Sequence, residues 1–166
     1  GSFEWQAGRD LGAGYKGEVI FRITVSDNNP GNSEETTPFE VDFNTPPTVA
    51  LKAYREEASG NIKVDYTFDD AERDQLNFDC FYSEDGGISW NPATVTEWGI
   101  ISSSEYSGTF TWERMKDIPS VLPNSEIFFR VTPSDDDEGE PGDIAIPLTP
   151  IEAPEIPEPD EEGEGG

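Results

Sequence analysis

Glu18-Val-Ile-Phe-Arg-Ile-Thr-Val-Ser-Asp27 and Glu126-Ile-Phe-Phe-Arg-Val-Thr-Pro-Ser-Asp135 are two versions of one stretch. The Glu, Phe, Arg, Thr, Ser and Asp positions are identical, and most apolar positions are exchanged conservatively. The flanks follow the same offset of 107 to 108 residues. Phe3-Glu4-Trp5 answers Phe110-Thr111-Trp112, and Asn28-Asn29-Pro30-Gly31 answers Asp136-Asp137-Glu138-Gly139. A period of about 100 residues is the length of one two-sheet β-sandwich domain. Both copies alternate apolar and polar residues, the pattern of a strand with one covered face.

The repeat divides the chain unequally. Residues 48–150 span one complete unit, and residues 1–47 hold only the second half of a preceding one. Asn44-Thr45-Pro46-Pro47 reads as the junction, because Pro-rich stretches separate modules. Residues 151–166 form an acidic tail rich in Pro and Gly, expected to be a disordered spacer. Within the complete unit, strands are expected at Thr48 to Arg55, Asn61 to Asp69, Leu76 to Ser83, Ile88 to Val95, Gly108 to Glu113, Glu126 to Thr132 and Asp143 to Leu148. Short strands at this spacing predict an all-β antiparallel sandwich, one complete repeat preceded by a half repeat.

Composition agrees. Val, Ile and Thr outnumber Ala, Leu and Met about two to one, and β-branched side chains suit pleated surfaces. The 14 Pro and 16 Gly leave little room for a long helix. Charge excludes several classes. With 10 Lys+Arg against 36 Asp+Glu, the net charge is −26. Nucleic acid and anionic membrane surfaces are therefore not expected partners, and no run is apolar enough for membrane insertion. The 0 His residues remove Ser-His-Asp and Cys-His catalysis, and no enzyme is expected. Cys80 shares a face with Leu76, Phe78 and Tyr82, which predicts a small buried hydrophobe.

Ser83-Glu-Asp-Gly-Gly-Ile-Ser-Trp90 resembles the Asp-box hairpin, a structural ornament whose Asp bonds backbone N–H groups. That pattern joins Val64-Asp-Tyr-Thr-Phe-Asp-Asp70, Phe110-Thr-Trp112 and Phe129-Arg-Val-Thr-Pro-Ser-Asp135. Together they resemble the immunoglobulin-like and fibronectin-III-like repeats of large bacterial surface and secreted proteins. The resemblance implies an immunoglobulin-like topology and an extracellular or cell-surface location. It says little about binding, because such folds host many functions.

Three acidic clusters have the residue types calcium takes, and each also reads as a solvated turn. They are Asp69, Asp70 and Asp74 with Glu72; Asp27 with Asn28 and Asn29; and Asp135, Asp136 and Asp137 with Glu138. None has EF-hand spacing. Arg22 and Arg130 lie mid-strand, opposite the apolar face, where a cross-strand carboxylate is the expected partner.

A half sandwich leaves an apolar face bare. Val19, Phe21, Ile23 and Val25 line it on one strand, and Phe39, Val41 and Phe43 on another. Three arrangements satisfy such a face. The chain is a piece of a longer array, the half unit folds back onto the complete one, or another copy donates strands head-to-tail. The expectation is a structural subunit of an extracellular array or fibre, with other copies or neighbouring repeats as partners. The alternative is a calcium-assisted adhesion or carbohydrate-binding module, with Trp90, Trp98 and Tyr106 as a platform for glycans. No cofactor is required on either reading, and calcium is the one the acidic loops would suit.

Overall fold

The structure is a computed structural model and describes residues 1–97, 99–120 and 125–147. The expected spacer, residues 151–166, lies outside the described residues, as do Trp98 and the end of the last expected strand. The chain runs α1 (Ala7–Leu11), β1 (Lys16–Val19), β2 (Arg22–Ser26), β3 (Pro30–Glu35), β4 (Phe39–Asp42), β5 (Thr48–Glu56), β6 (Ile62–Asp69), β7 (Asn77–Ser83) and β8 (Asn91–Pro92). It continues through a 3-10 turn at Ser103–Glu105, β9 (Ser107–Trp112), α2 (Arg114–Asp117), β10 (Glu126–Ser134) and β11 (Gly142–Pro147).

From Thr48 onward two antiparallel sheets share one core. One has the order β5-β6-β9 and the other β11-β10-β7-β8. On β6 the alternation is complete: Ile62, Val64, Tyr66 and Phe68 are buried, and Lys63, Asp65 and Thr67 lie between them on the other face. Facing them are Cys80 of β7, Ile127, Phe129 and Val131 of β10, and Ile146 of β11. Each such side chain contributes about 1.5–3 kcal/mol on leaving water. Aromatic rings carry the contact between sheets. Trp112 of β9 meets Phe129 of β10 at 5.3 Å and stacks on Tyr82 of β7 at 5.6 Å between centroids. Phe110 stacks on Tyr66 at 4.2 Å and lies 4.7 Å from Phe78 of the other sheet. The Tyr66 ring needs Gly108 beneath it, since a Cβ there would stand 2.5 Å from the tyrosine oxygen.

One element departs from the expected strands. The return at Ile88 to Val95 is only Asn91–Pro92, with Val95 as an isolated bridge to Trp112. Turn chemistry holds residues 83–90 instead, as described below, and Pro92 brings no N–H to a ladder. Beside the strands, in α2, lies a buried guanidinium that drew no expectation from the sequence. Arg114 is 1% exposed, donates to the Gly60 carbonyl at 2.9 Å and pairs with Glu56 at 3.2 Å.

Residues before Pro47 behave differently, because none of them is buried. The expected single strand through Val19 and Val25 is broken at Ile20 and Phe21. Its two pieces pair antiparallel with β4 and β3, as β1-β4 and β2-β3. These four strands pair with no strand of the sandwich, so the half unit does not add strands to it. Two cross-strand pairs nevertheless fall at matching positions of the two similar stretches. Arg22 stands opposite Glu35 and Arg130 opposite Asp143, pairs 108 residues apart at both ends. Both arginines bond their carboxylate as expected, Arg130 through two bonds of 2.7 Å. Ring contacts correspond too: Trp5 lies 5.5 Å from Phe21, as Trp112 lies 5.3 Å from Phe129.

The two settings of equivalent aromatic residues give a test. Phe110→Ala empties a fully buried site and is expected to cost about 3–5 kcal/mol in denaturant unfolding. Phe3→Ala, at a ring 62% exposed, is expected to cost about 1 kcal/mol or less. Equal costs would mean that the hairpins and the sandwich share one core.

Candidate functional site

The loop Asp70 to Gln75 leaves β6 and turns back into β7. Its fold follows from Asp70, which is 5% exposed and accepts the Asp74 N–H at 2.7 Å on Oδ2. Tyr106 donates to the Asp74 carbonyl at 2.7 Å and to the same Asp70 oxygen at 3.3 Å. Arg73 takes a left-handed backbone at φ 60°, donates to the Ser103 carbonyl and lies over the Tyr106 ring. Burial first, and then the Asp70 charge, pushes the Tyr106 hydroxyl up to about 12.

A second acidic loop, between β10 and β11, comes alongside. Asp135 Oδ1 accepts the Asp137 N–H at 2.7 Å, an Asx turn. The junction then ties both loops to the hairpins. Asn44 donates one amide N–H each to Asp135 Oδ1 and Asp137 Oδ2, at 3.0 Å. Lys16 of β1 bonds Asp137 and pairs with Asp42 at 3.3 Å. Thr45 donates to Glu72 Oε1 at 3.2 Å. The Lys16 ammonium, followed by the Asn44 amide, holds the Asp137 carboxyl below its usual range. Asp74 moves the other way. Burial raises it, and the charges of Asp70, Asp135, Glu72 and Asp136 add to the rise.

The structure thus gathers two of the three acidic clusters and leaves the third apart. Asp70, Asp74, Asp135, Asp136 and Asp137 meet at one end of the sandwich. Asp74, Asp135 and Asp136 line an open cleft of about 430 Å³ there. Asp69 ends β6 opposite Thr48 and is exposed. Asp27 and Asn29 sit in the β2-β3 turn, where Asp27 accepts the Asn29 N–H at 2.8 Å. Lys16 and Asn44 carry no motif of their own. The only sequence signal for Asn44 is its place in the Pro-rich junction. Among the described residues, no three Asp, Glu, His or Cys side chains stand close enough together to hold a metal ion.

The other sequence-derived candidates resolve differently. Val19, Phe21 and Val41 are half-buried, with Phe21 stacked on Phe3 at 5.0 Å. Ile23, Val25, Phe39 and Phe43 are exposed, Val25 by 71%. Tyr106 is buried, and Arg130 covers one face of Trp90 at 3.9 Å from the ring centroid. Tyr106 is therefore no open platform, whereas Trp90 is half-buried and borders an open cleft with Phe81 and Thr132. Cys80 is buried among the core residues, and burial raises its thiol far above the ordinary range.

In the Ser83–Trp90 hairpin, Asp85 accepts from Ser83, from the Ile88 and Ser89 N–H groups and from the Ser89 hydroxyl. Gly86 and Gly87 supply φ of 76° and 86°. In comparisons with known proteins, no family model matches the chain, and no curated protein and no solved structure matches it.

The Asp85 turn predicts a pH dependence. The Ser89 hydroxyl and N–H, with Ser83 and Ile88, lower its carboxyl to about 2, against about 3.9 in an unfolded chain. The folded state therefore binds fewer protons, and the stabilisation is present above about pH 4 and lost as pH falls through about 2. Asp85→Asn is expected to lower stability at pH 7, with the gap from wild type closing toward pH 2. Denaturant unfolding at pH 7, 4 and 2.5 reads this out. A gap that is constant with pH would show that the carboxylate charge does not hold the turn.

Proposed function

We propose that the chain is a non-enzymatic structural module of an extracellular bacterial surface array or fibre. On this reading, its N-terminal hairpins are completed by strands from another copy or a neighbouring repeat. The observation that carries it is the unequal burial of equivalent elements. The β10-β11 hairpin is roofed by the second sheet, whereas its counterpart keeps Ile23 41% and Val25 71% exposed. Matching register and matching Trp–Phe contacts support reading that counterpart as half of an immunoglobulin-like or fibronectin-III-like unit. The sheet orders β5-β6-β9 and β11-β10-β7-β8 support the same topology for the complete unit. An apolar face and unpaired strand edges side by side template pairing with another chain. The net charge of −26 suits the setting, because it keeps modules apart except where a specific face overcomes repulsion. The adhesion or carbohydrate-binding alternative has less support, since Tyr106 is buried and Arg130 covers one face of Trp90.

Light scattering and negative-stain microscopy across a concentration series test the reading. An open-ended size series is expected. Ile23→Glu together with Val25→Glu is expected to return the chain to its 18.3 kDa monomer with the sandwich melting unchanged. A monomer at every concentration would sink the proposal.

A further inference from the structure

The outer face of the larger sheet carries a second cleft. On β10, Arg130 and Thr132 alternate with the buried Ile127, Phe129 and Val131 and so face away from the core. Register sets Phe81 of β7 beside Arg130, and Asp79 beside Thr132. Trp90, at the end of the Ser83–Trp90 hairpin, and Glu138, in the loop between β10 and β11, complete the lining of a cleft of about 270 Å³. Arg130 is held from two sides. Its Nε and Nη2 donate to Asp143, and its guanidinium lies 3.9 Å from the Trp90 ring centroid. Those contacts fix the indole and leave Arg130 Nη1 unused among the described residues. Among the same residues, the side chains of Asp79, Thr132 and Glu138 make no hydrogen bond or ion pair with the rest of the chain.

We propose that this cleft binds a neutral saccharide, one sugar ring at a time. Phe81 and Trp90 supply apolar surface, and the weakly positive C–H groups of a sugar ring pack against the negative face of an aromatic ring. Hydrogen-bonding groups of both kinds stand around that surface. Asp79 and Glu138 accept, Arg130 Nη1 donates, and the Thr132 hydroxyl does either. A sugar hydroxyl also donates and accepts, so a polyol matches the mixed set. An organic cation would use the carboxylates alone and would meet the Arg130 charge. An anion would meet Asp79, Glu138 and a net charge of −26. Size agrees with a single ring, because about 270 Å³ lies just under the usual ligand-pocket range of about 300–1,000 Å³. The aromatic surface is in place before the ligand arrives. Arg130 braces Trp90, and Phe81 belongs to a paired strand, so little ordering is lost on binding. Trp90 is the member of the expected platform that lines this cleft, and Phe81 supplies the second ring. The site uses one chain and goes beyond the assembly proposed above, so either reading can fail without the other.

Chemical-shift titration of the full chain with glucose, galactose, mannose and N-acetylglucosamine tests the site, read at the Trp90 indole N–H and the Thr132 amide. Saturable binding of at least one of these sugars is expected, at a weak affinity of about 1–10 mM. Phe81→Ala, outside the core cluster, is expected to weaken that binding about three- to tenfold with the fold intact by circular dichroism. Glu138→Gln, at an exposed side chain, is expected to weaken it by a similar factor of about three to ten. Ile100→Ala, at an exposed apolar side chain elsewhere on the sandwich, is expected to leave it unchanged. Putrescine at equal concentration is expected to leave the sugar bound at about 0.15 M salt. Displacement by putrescine would assign the cleft to organic cations and overturn the proposal. So would shifts that do not saturate with any of the sugars by about 100 mM. Equal weakening by Phe81→Ala and Ile100→Ala would overturn it as well, since that marks diffuse contact with the surface.

Discussion

A β-hairpin with one apolar face is stable only when a second layer of side chains closes over that face. Residues 48–147 meet this condition with aromatic rings that reach between two sheets, Trp112 to Phe129 and Phe110 to Phe78. The strand positions, the glycine beneath Tyr66 and the buried β6 face all serve that contact. Residues 1–46 contain the same Trp–Phe contact without the second sheet. Phe3 and Trp5 shelter Phe21, Val19 and Val41 are half-buried, and Ile23 and Val25 remain exposed. Similar sequence thus reaches two degrees of burial, and the difference lies in what stands opposite.

The acidic surplus is not spread evenly in its effects. Exposed carboxylates pair with arginines across strands, as Asp65 does with Arg55 and Asp143 with Arg130, and such pairs contribute little. At the junction the carboxylates face one another instead. Hydrogen bonds from Asn44, Thr45, Tyr106 and backbone N–H groups satisfy half of their oxygens, and Asp74 is raised by its neighbours. That contrast separates cross-strand ion pairs from a cluster whose charges repel one another.

Much of this was legible in the sequence because strand alternation and turn chemistry are local. The Leu76–Tyr82 face, the Arg partners, the Ser83–Trp90 turn and the all-β class follow from residues within a few positions of one another or from the repeat. The misses are of another kind. Ile20 and Phe21 have strand-like side chains, yet the register slips there between β1 and β2. Ile88 to Val95 looks like a returning strand, but Asp85 captures the Ile88 and Ser89 N–H groups first. Arg114 drew no expectation from its neighbours in sequence, and Gly60 and Glu56, which hold it, are more than 50 positions away. For the candidate site, the acidic residues were visible, but which clusters meet was not. Asn44 and Lys16 join the site through contacts 91 to 121 residues apart in sequence.

The hairpins are joined to the sandwich without a shared strand ladder. Asn44, Thr45 and Lys16 hold the two parts through polar contacts at the surface, each worth about 1 kcal/mol or less in water. The ladder of the hairpins is broken at Ile20 and Phe21, whereas that of the sandwich is backed by a core. Under tension along the chain, the junction would therefore yield first, and the sandwich would stay folded while the connection lengthened. Salt would soften that connection by screening Lys16 from Asp42 and Asp137. The stiffness of that connection then depends on ionic strength as well as on the residues that form it.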